Sequence, residues 1–248
     1  MQETTNSQPI LKPTDDQWVG LYVPKKTAEL ILKGIDDNSC PLFPDKNGVI
    51  TPHAIYNAST GFILNAKDLI PAQIIRKNNG YESDVVCTWK TANRFKTQIK
   101  AKEKGLSYNF QTADGEYHHA MYFFAEQLQH PKKVLENVKI NSQSKLKGEV
   151  FKINSVEDYL PSYLAACRSG AKVEVEKDVA EDFKRQFTLI CKNESNRNLR
   201  DKPDLNIQTL HQILFDADKK AVVLVQNREK ELGLNQKPKY EKTFSMER

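Results

Sequence analysis

Glycine and proline are scarce in this chain, 10 and 11 of 248 residues. Together they make about 8% against roughly 12% in average usage, which excludes collagen-like and low-complexity chains and leaves little material for glycine-rich phosphate loops. The four cysteines, Cys40, Cys87, Cys167 and Cys191, stand far apart without a CxxC pair. Neither a zinc knuckle nor a disulfide framework is expected, and the thiols read as reduced and structural. Long apolar runs are missing too. The longest aliphatic stretch, Ala221 to Val225, is far short of the roughly 20 residues a membrane helix needs, so no membrane insertion is expected. The first 20 residues are polar, with Asp15 and Asp16 and no apolar centre, unlike a secretory signal or an Arg-rich transit peptide; the expected compartment is the cytoplasm. GxSxG, P-loop, GxGxxG, HExxH and kinase signatures are all absent, and no cysteine has a basic neighbour motif that would activate a thiolate. The chain therefore reads as a non-enzyme with no cofactor and no metal.

What is present is a globular composition, 39% hydrophobic and 28% charged, sufficient for one sizeable core or two modest ones. Net charge is +5, from 37 basic and 32 acidic residues. Its placement matters more than its size. Between Pro71 and Phe110 stand eight basic residues, Arg76, Lys77, Lys90, Arg94, Lys96, Lys100, Lys102 and Lys104, against three acidic ones, Glu82, Asp84 and Glu103. This one segment holds the whole excess.

Residues 1–17 are polar and aperiodic, a flexible arm by composition. After Trp18 to Val23 and Pro24, the stretch Lys25 to Lys33 suits a short helix closed by Gly34. Asp36 to Pro52 collects proline, glycine, Asp and Asn and reads as a loop. Asn57-Ala-Ser-Thr-Gly61 signals a turn; a helical pattern then runs through Leu69, Ile70, Ile74 and Ile75 and ends at Asn78-Asn79-Gly80. Thr88 suits the N-cap of a second helix through Trp89, Ala92, Phe95 and Ile99, apolar on one face and basic on the other. Leu106, Tyr108 and Phe110 alternate with polar residues, Ala113-Asp114-Gly115 makes a turn, and Tyr117 to Phe124 forms the second strand of a hairpin. Lys145 to Gly148 marks a boundary. Ser155-Val-Glu-Asp158 starts another helix, and helical spacing recurs at Val179, Phe183, Phe187 and Ile190 and at Leu210, Ile213 and Leu214. The fold class is thus α+β: a helix-helix-β-hairpin domain over 18–135, a mainly helical unit over 150–235, and a polar tail over 236–248.

The histidines offer little chemistry. His118 and His119, beside Glu116, fall on a strand and point to opposite faces, which is unsuited to one metal ion. His211, with Asp216 five residues on, reads as a helix-face histidine near a helix end. Residues 71–110 are more suggestive. A single-strand nucleic-acid site needs cations along the phosphates and aromatic faces for the bases. Lys90, Arg94, Lys96, Lys100, Lys102 and Lys104 supply the first, and Tyr81, Trp89, Tyr108 and Phe110 are interleaved with them. The same spacing also suits a solvated basic face over a core-facing Trp89 and Phe95.

Over about 75 residues the chain resembles the N-terminal domain of the ArdC-like antirestriction proteins of plasmids and phages. The family's Asn-x-x-Thr-Gly is matched by Asn57 to Gly61, its Thr-x-x-Gln-Ala by Thr88-Trp-Lys-Thr-Ala92, its Gly-Glu-Lys-Gly by Lys102-Glu-Lys-Gly105, and its closing Phe-Asn-x-x-Gln by Phe123-Phe-Ala-Glu-Gln127. Its Gly-x-Asn element is replaced by Ala66-Lys67-Asp68, where alanine resists backbone conformations open to glycine. The resemblance implies an α+β domain that binds single-stranded DNA or RNA, with Lys90, Arg94, Lys96, Lys100, Lys102 and Lys104 on the phosphates and Trp89 or Tyr108 stacking. Family members often add a zincin-like metallopeptidase with HExxH, and no such motif occurs here. The alternative is an adaptor or structural subunit of a bacterial conjugation or secretion assembly, docking a protein partner through residues 150–235. Oligomeric state is not legible.

Overall fold

A computed structural model describes residues 15–45, 48–111, 117–140, 146–196 and 210–234. Helix α1 spans Asp15–Asp36. It runs unbroken through Pro24 and Gly34, which the sequence suggested as its limits, and it takes in Asp15 to Gln17 of the expected arm; the rest of the arm lies outside the described residues. The reason is tertiary. Ala28, Ile31 and Ile35 form one buried stripe, and a Cβ at Gly34 would sit 3.1 Å from Ile74 of the next helix. Gly34 therefore permits two helices to approach closely and does not end the first.

Strand β1, Tyr56–Asn57, leads through α2, Ala66–Asn79, to β2, Val85–Cys87, which lies parallel to it. The α2 N-cap is Asn65, whose side chain accepts from the Asp68 N–H, and Gly80 closes the helix in the left-handed conformation. The expected end at Asn78-Asn79-Gly80 is where the helix stops. Helix α3, Trp89–Arg94, follows with Thr88 as N-cap. It is shorter than the helix expected through Ile99, because the chain turns at Lys96 with φ of +54°. Strands β3, Leu106–Gln111, and β4, Tyr117–Phe124, form the anticipated antiparallel hairpin; the turn expected at 113–115 lies outside the described residues. β4 also pairs antiparallel with β2, giving the sheet order β1-β2-β4-β3. A 3-10 turn at Ala125–Gln127 and α4, Lys132–Leu135, complete this part.

A second parallel pair follows: β5, Val150–Ile153, and β6, Lys172–Val175, connected by α5, Val156–Ser169. The sequence reading of a mainly helical stretch did not contain these strands. The Ser155 cap it did contain is present, its side chain accepting from the Asp158 N–H. Helices α6, Lys177–Asn196, and α7, Leu210–Glu231, finish the described chain. Residues 236–248, the expected polar tail, lie outside it. The protein is α+β, and no described helix is long and apolar enough to cross a membrane.

The sheet has two differently covered faces. Val86, Tyr108, Tyr122 and Phe124 join a large cluster with α1, α2, α5, α6 and α7, including Ile31, Leu69, Tyr159, Phe187 and Leu214. The described parts of residues 18–135 and 150–235 thus meet in one continuous core. Tyr159 stacks on Phe183 at 4.1 Å, and its hydroxyl donates to the Leu42 carbonyl at 2.7 Å. The opposite face carries Val85 and Cys87 in a small cluster with Ala92 of α3, Leu128 and Val134 of α4. All four cysteines are buried and unpaired. Burial pushes the thiols of Cys40, Cys87 and Cys191 up to about 12 and that of Cys167 to about 11, so none is a ready nucleophile.

Candidate nucleic-acid interface

Because β2 pairs β4 only at Phe123 and Phe124, the rest of the β3–β4 hairpin projects past the carboxyl end of β2. The chain leaves β2 at Thr88 and turns at once into α3, beside this projecting hairpin. Between them lies a groove of about 960 Å³. Trp89, Lys90 and Arg94 form one wall, Tyr108, Ala120, Met121 and Phe123 the other, with Ser59, Thr88, Thr91 and Ile99 between.

Local chemistry fixes both supports. Thr88 Oγ1 accepts the Thr91 N–H at 3.1 Å, which starts α3 at a defined residue. At the end of β1 the Asn57 carboxamide oxygen accepts the Ser59 N–H at 2.9 Å and the Ser59 hydroxyl at 2.8 Å, while the Asn57 carbonyl accepts the Gly61 N–H at 2.8 Å. This Asx turn sets Ser59 at the groove. On the hairpin side, Gly105 is opposite Phe123. A Cβ there would lie 2.8 Å from the Met121 Cβ and 2.9 Å from the Phe123 ring. Three sequence landmarks, Asn57 to Gly61, Thr88 to Ala92 and Gly105 with Phe123, converge on one groove.

The structure separates the expected site residues. Trp89 is 64% exposed at the groove rim, flanked by exposed Lys90 and Arg94. The Arg94 guanidinium lies 5.4 Å from the centre of the Phe95 ring. Trp89 is a surface residue, so the core alternative for that side chain falls. Tyr108, although it lines the groove, is a different case. It is buried, its ring stacked on Tyr122 at 3.8 Å with 7° between planes, and so it does not present a free face to a base. Lys96, Lys100, Lys102 and Lys104 are exposed but not in the groove wall, because α3 ends at Arg94 and no single helix carries the basic stripe. The Lys100 ammonium donates to the Glu126 carbonyl at 2.6 Å. Tyr81 packs against Phe124 at 5.1 Å, and the Phe110 side chain lies outside the described residues. Met121, 43% exposed and lining the groove, escaped the sequence reading: alternation along β4 puts it on the other face from Tyr122, but whether that face is covered depends on α3, which ends at Arg94.

Beneath the hairpin is a buried polar cluster. Asn57 Nδ2 donates to the Tyr122 hydroxyl at 3.3 Å. Burial raises the phenols of Tyr122 and of Tyr108 stacked on it, and the charge of nearby Asp68 raises them further. Asp68 itself is 5% exposed; burial pushes its carboxyl up to about 6 against the pull of Lys67 and Asn65. His211 sits in the first turn of α7, where burial and Lys67 push its imidazole down to about 4. Asp216 is engaged by Gln212 Nε2 at 3.0 Å. Among the described residues no group of three His, Cys, Asp or Glu side chains could hold a metal ion.

A mixed β1-β2-β4-β3 sheet, buried on one face and half open on the other, defines a fold of the α+β class. No family model and no curated protein matches the sequence. Among solved structures the chain is similar to the crystal structures of the antirestriction protein ArdC from plasmid R388. The Mn(II)-bound form aligns with a TM-score of 0.49 at 9% identity and the metal-free form with 0.40 at 12%, each over 86% of this chain and 99% of that one. The likeness is a distant, ArdC-like one.

Proposed function

We propose that the chain is a non-enzymatic, single-stranded nucleic-acid-binding protein of the ArdC-like type without a metallopeptidase part. One observation carries the reading: Trp89 lies open at the rim of a groove whose opposite wall holds the apolar Met121 and Phe123, with two cations, Lys90 and Arg94, on its own helix. An exposed indole beside cations suits a base stacked on the ring with its phosphates on the ammonium and guanidinium groups. A duplex hides its base faces, so an unpaired strand of DNA or RNA is the fitting ligand. Lys102 and Lys104 extend the positive field beyond the groove. The reading is one of binding alone, since the HExxH motif that carries hydrolysis in the resembled family does not occur in the sequence.

The test is a fluorescence-anisotropy titration with labelled single-stranded DNA, single-stranded RNA and duplex DNA at two salt concentrations, using the wild type, Trp89→Ala and a Lys90→Glu/Arg94→Glu variant. Single-strand preference, weakened by salt and lost in both variants, supports the reading. Absence of binding by the wild type at low salt overturns it. The adaptor reading then stands, favoured by α7, where Phe215 and Val223 are 55% and 53% exposed; a partner pull-down compared with Phe215→Ser/Val223→Ser tests that.

A further inference from the structure

Across α3 from the groove lies a second depression, of about 510 Å³. Its wall is polar throughout: Asn93 and Lys96 at the end of α3, Gln98 beyond it, and Gln129, His130 and Lys133 from the segment after β4. No carboxylate lines it. The two segments that make it are tied side by side. The Gln129 N–H donates to the Gln98 carbonyl at 2.8 Å and the Lys100 N–H to the Gln127 carbonyl at 2.9 Å. The His130 N–H donates to Thr97 Oγ1 at 3.1 Å, and Lys133 Nζ donates to the Lys96 carbonyl at 2.8 Å. Below them Leu128 and Val134 are fully buried. Lys96 is held in the left-handed region, φ +54°, a conformation that favours glycine. That kink ends α3 and delivers Lys96 to this depression instead of continuing the stripe of Lys90 and Arg94.

The two depressions differ in chemistry. The first offers an indole and an apolar wall, suited to a base; the second offers amide donors and ammonium groups, suited to a phosphodiester. Asn93 and Arg94, neighbours on α3, line one each. We infer that the pocket formed by Lys96, Gln98, Gln129, His130 and Lys133 is a phosphodiester subsite for the strand whose base stacks on Trp89, so that the strand crosses α3. This rests on the nucleic-acid reading above and adds a direction and a minimum length to it.

The experiment uses the full chain and labelled oligothymidylates of increasing length, with wild type, Trp89→Ala and Lys96→Gln/Lys133→Gln. The expected result is unchanged affinity of the double variant for the shortest strands, loss of the affinity gained with length, and a fall of about 1.4 in the salt slope for two cations at about 0.7 each. Lys133→Arg keeps the wild-type length dependence, and an unchanged thermal midpoint shows the double variant is folded. A double variant that matches wild type at every length, while Trp89→Ala fails, overturns this inference alone. Equal loss at all lengths also overturns it. A wild type that binds no strand removes the nucleic-acid reading and this with it. Inorganic phosphate titrated alone, followed by the His130 imidazole resonance, separates the sources: saturation by phosphate that does not compete with the longer strands reassigns the pocket to a free anion.

Discussion

The two faces of the four-stranded sheet are made by alternate residues of the same strands, yet one is sealed and the other is half open. On β4, Tyr122 and Phe124 enter the large cluster beneath α1 and α2, while Met121 and Phe123 turn to the opposite side. The difference lies in the covering elements. The sealed face meets helices of 22 and 14 residues. The other meets α3 and α4, of six and four residues, enough to bury Val85 and Cys87 but not Met121. A strand pattern decides which side chains share a face; the length of the opposing helix decides whether that face becomes core or stays half open.

The contrast can be broken most forcefully on the sealed side. Phe124→Ala removes a fully buried ring and should lower unfolding free energy by about 3–5 kcal/mol in denaturant titrations. Asp68 tests the same side through pH. Its carboxyl is held above the ordinary 3.8, so its contribution to stability is full below pH 3.8 and lost as pH rises through about 6. Asp68→Asn should therefore stabilise the protein at pH 7, by roughly 3 kcal/mol at about 1.4 kcal/mol per unit. His211 works oppositely: held below 6.5, it contributes stability that is lost as pH falls through about 4. The wild type should show a flat stability profile between pH 4 and about 6, and Asp68→Asn should expose a steep acid loss that His211→Gln abolishes.

On the half-open face smaller effects are expected. Gly105→Ala forces a Cβ against Met121 and Phe123 and should cost about 1–3 kcal/mol of stability, with a shift of the Phe123 ring visible by NMR. Trp89→Ala sharpens the comparison furthest. Its stability should stay within about 0.5 kcal/mol of wild type, while single-strand affinity falls by about 1–3 kcal/mol per stacked base. A large loss of stability in this variant would show that the indole belongs to the core after all.

Local chemistry was legible wherever a short-range rule applied. The Asx turn at Asn57, the Thr88 and Ser155 caps, the Gly80 stop and the alternation of β3 and β4 each depend on residues within a few positions, and each is found where the sequence indicates. The misreadings share one cause. Pro24 and Gly34 look like helix limits, but α1 runs through both, and at Gly34 it packs closely against Ile74 of α2. β5 and β6 hold four residues each and pair only because α5 brings distant segments together. α3 stops early because Lys96 takes a conformation that its residue type does not announce.

The candidate site divides in the same way. Sequence by itself determined the α+β class, the hairpin, and the concentration of cations and aromatics in residues 71–110, since these follow from composition and periods of two and 3.6 residues. Only the tertiary structure decided that Trp89 faces solvent while Tyr108 stacks on Tyr122, and that Lys96 leaves the stripe to join His130 and Lys133. Those outcomes depend on which surface a neighbouring element covers, a long-range property that no local window of the chain contains.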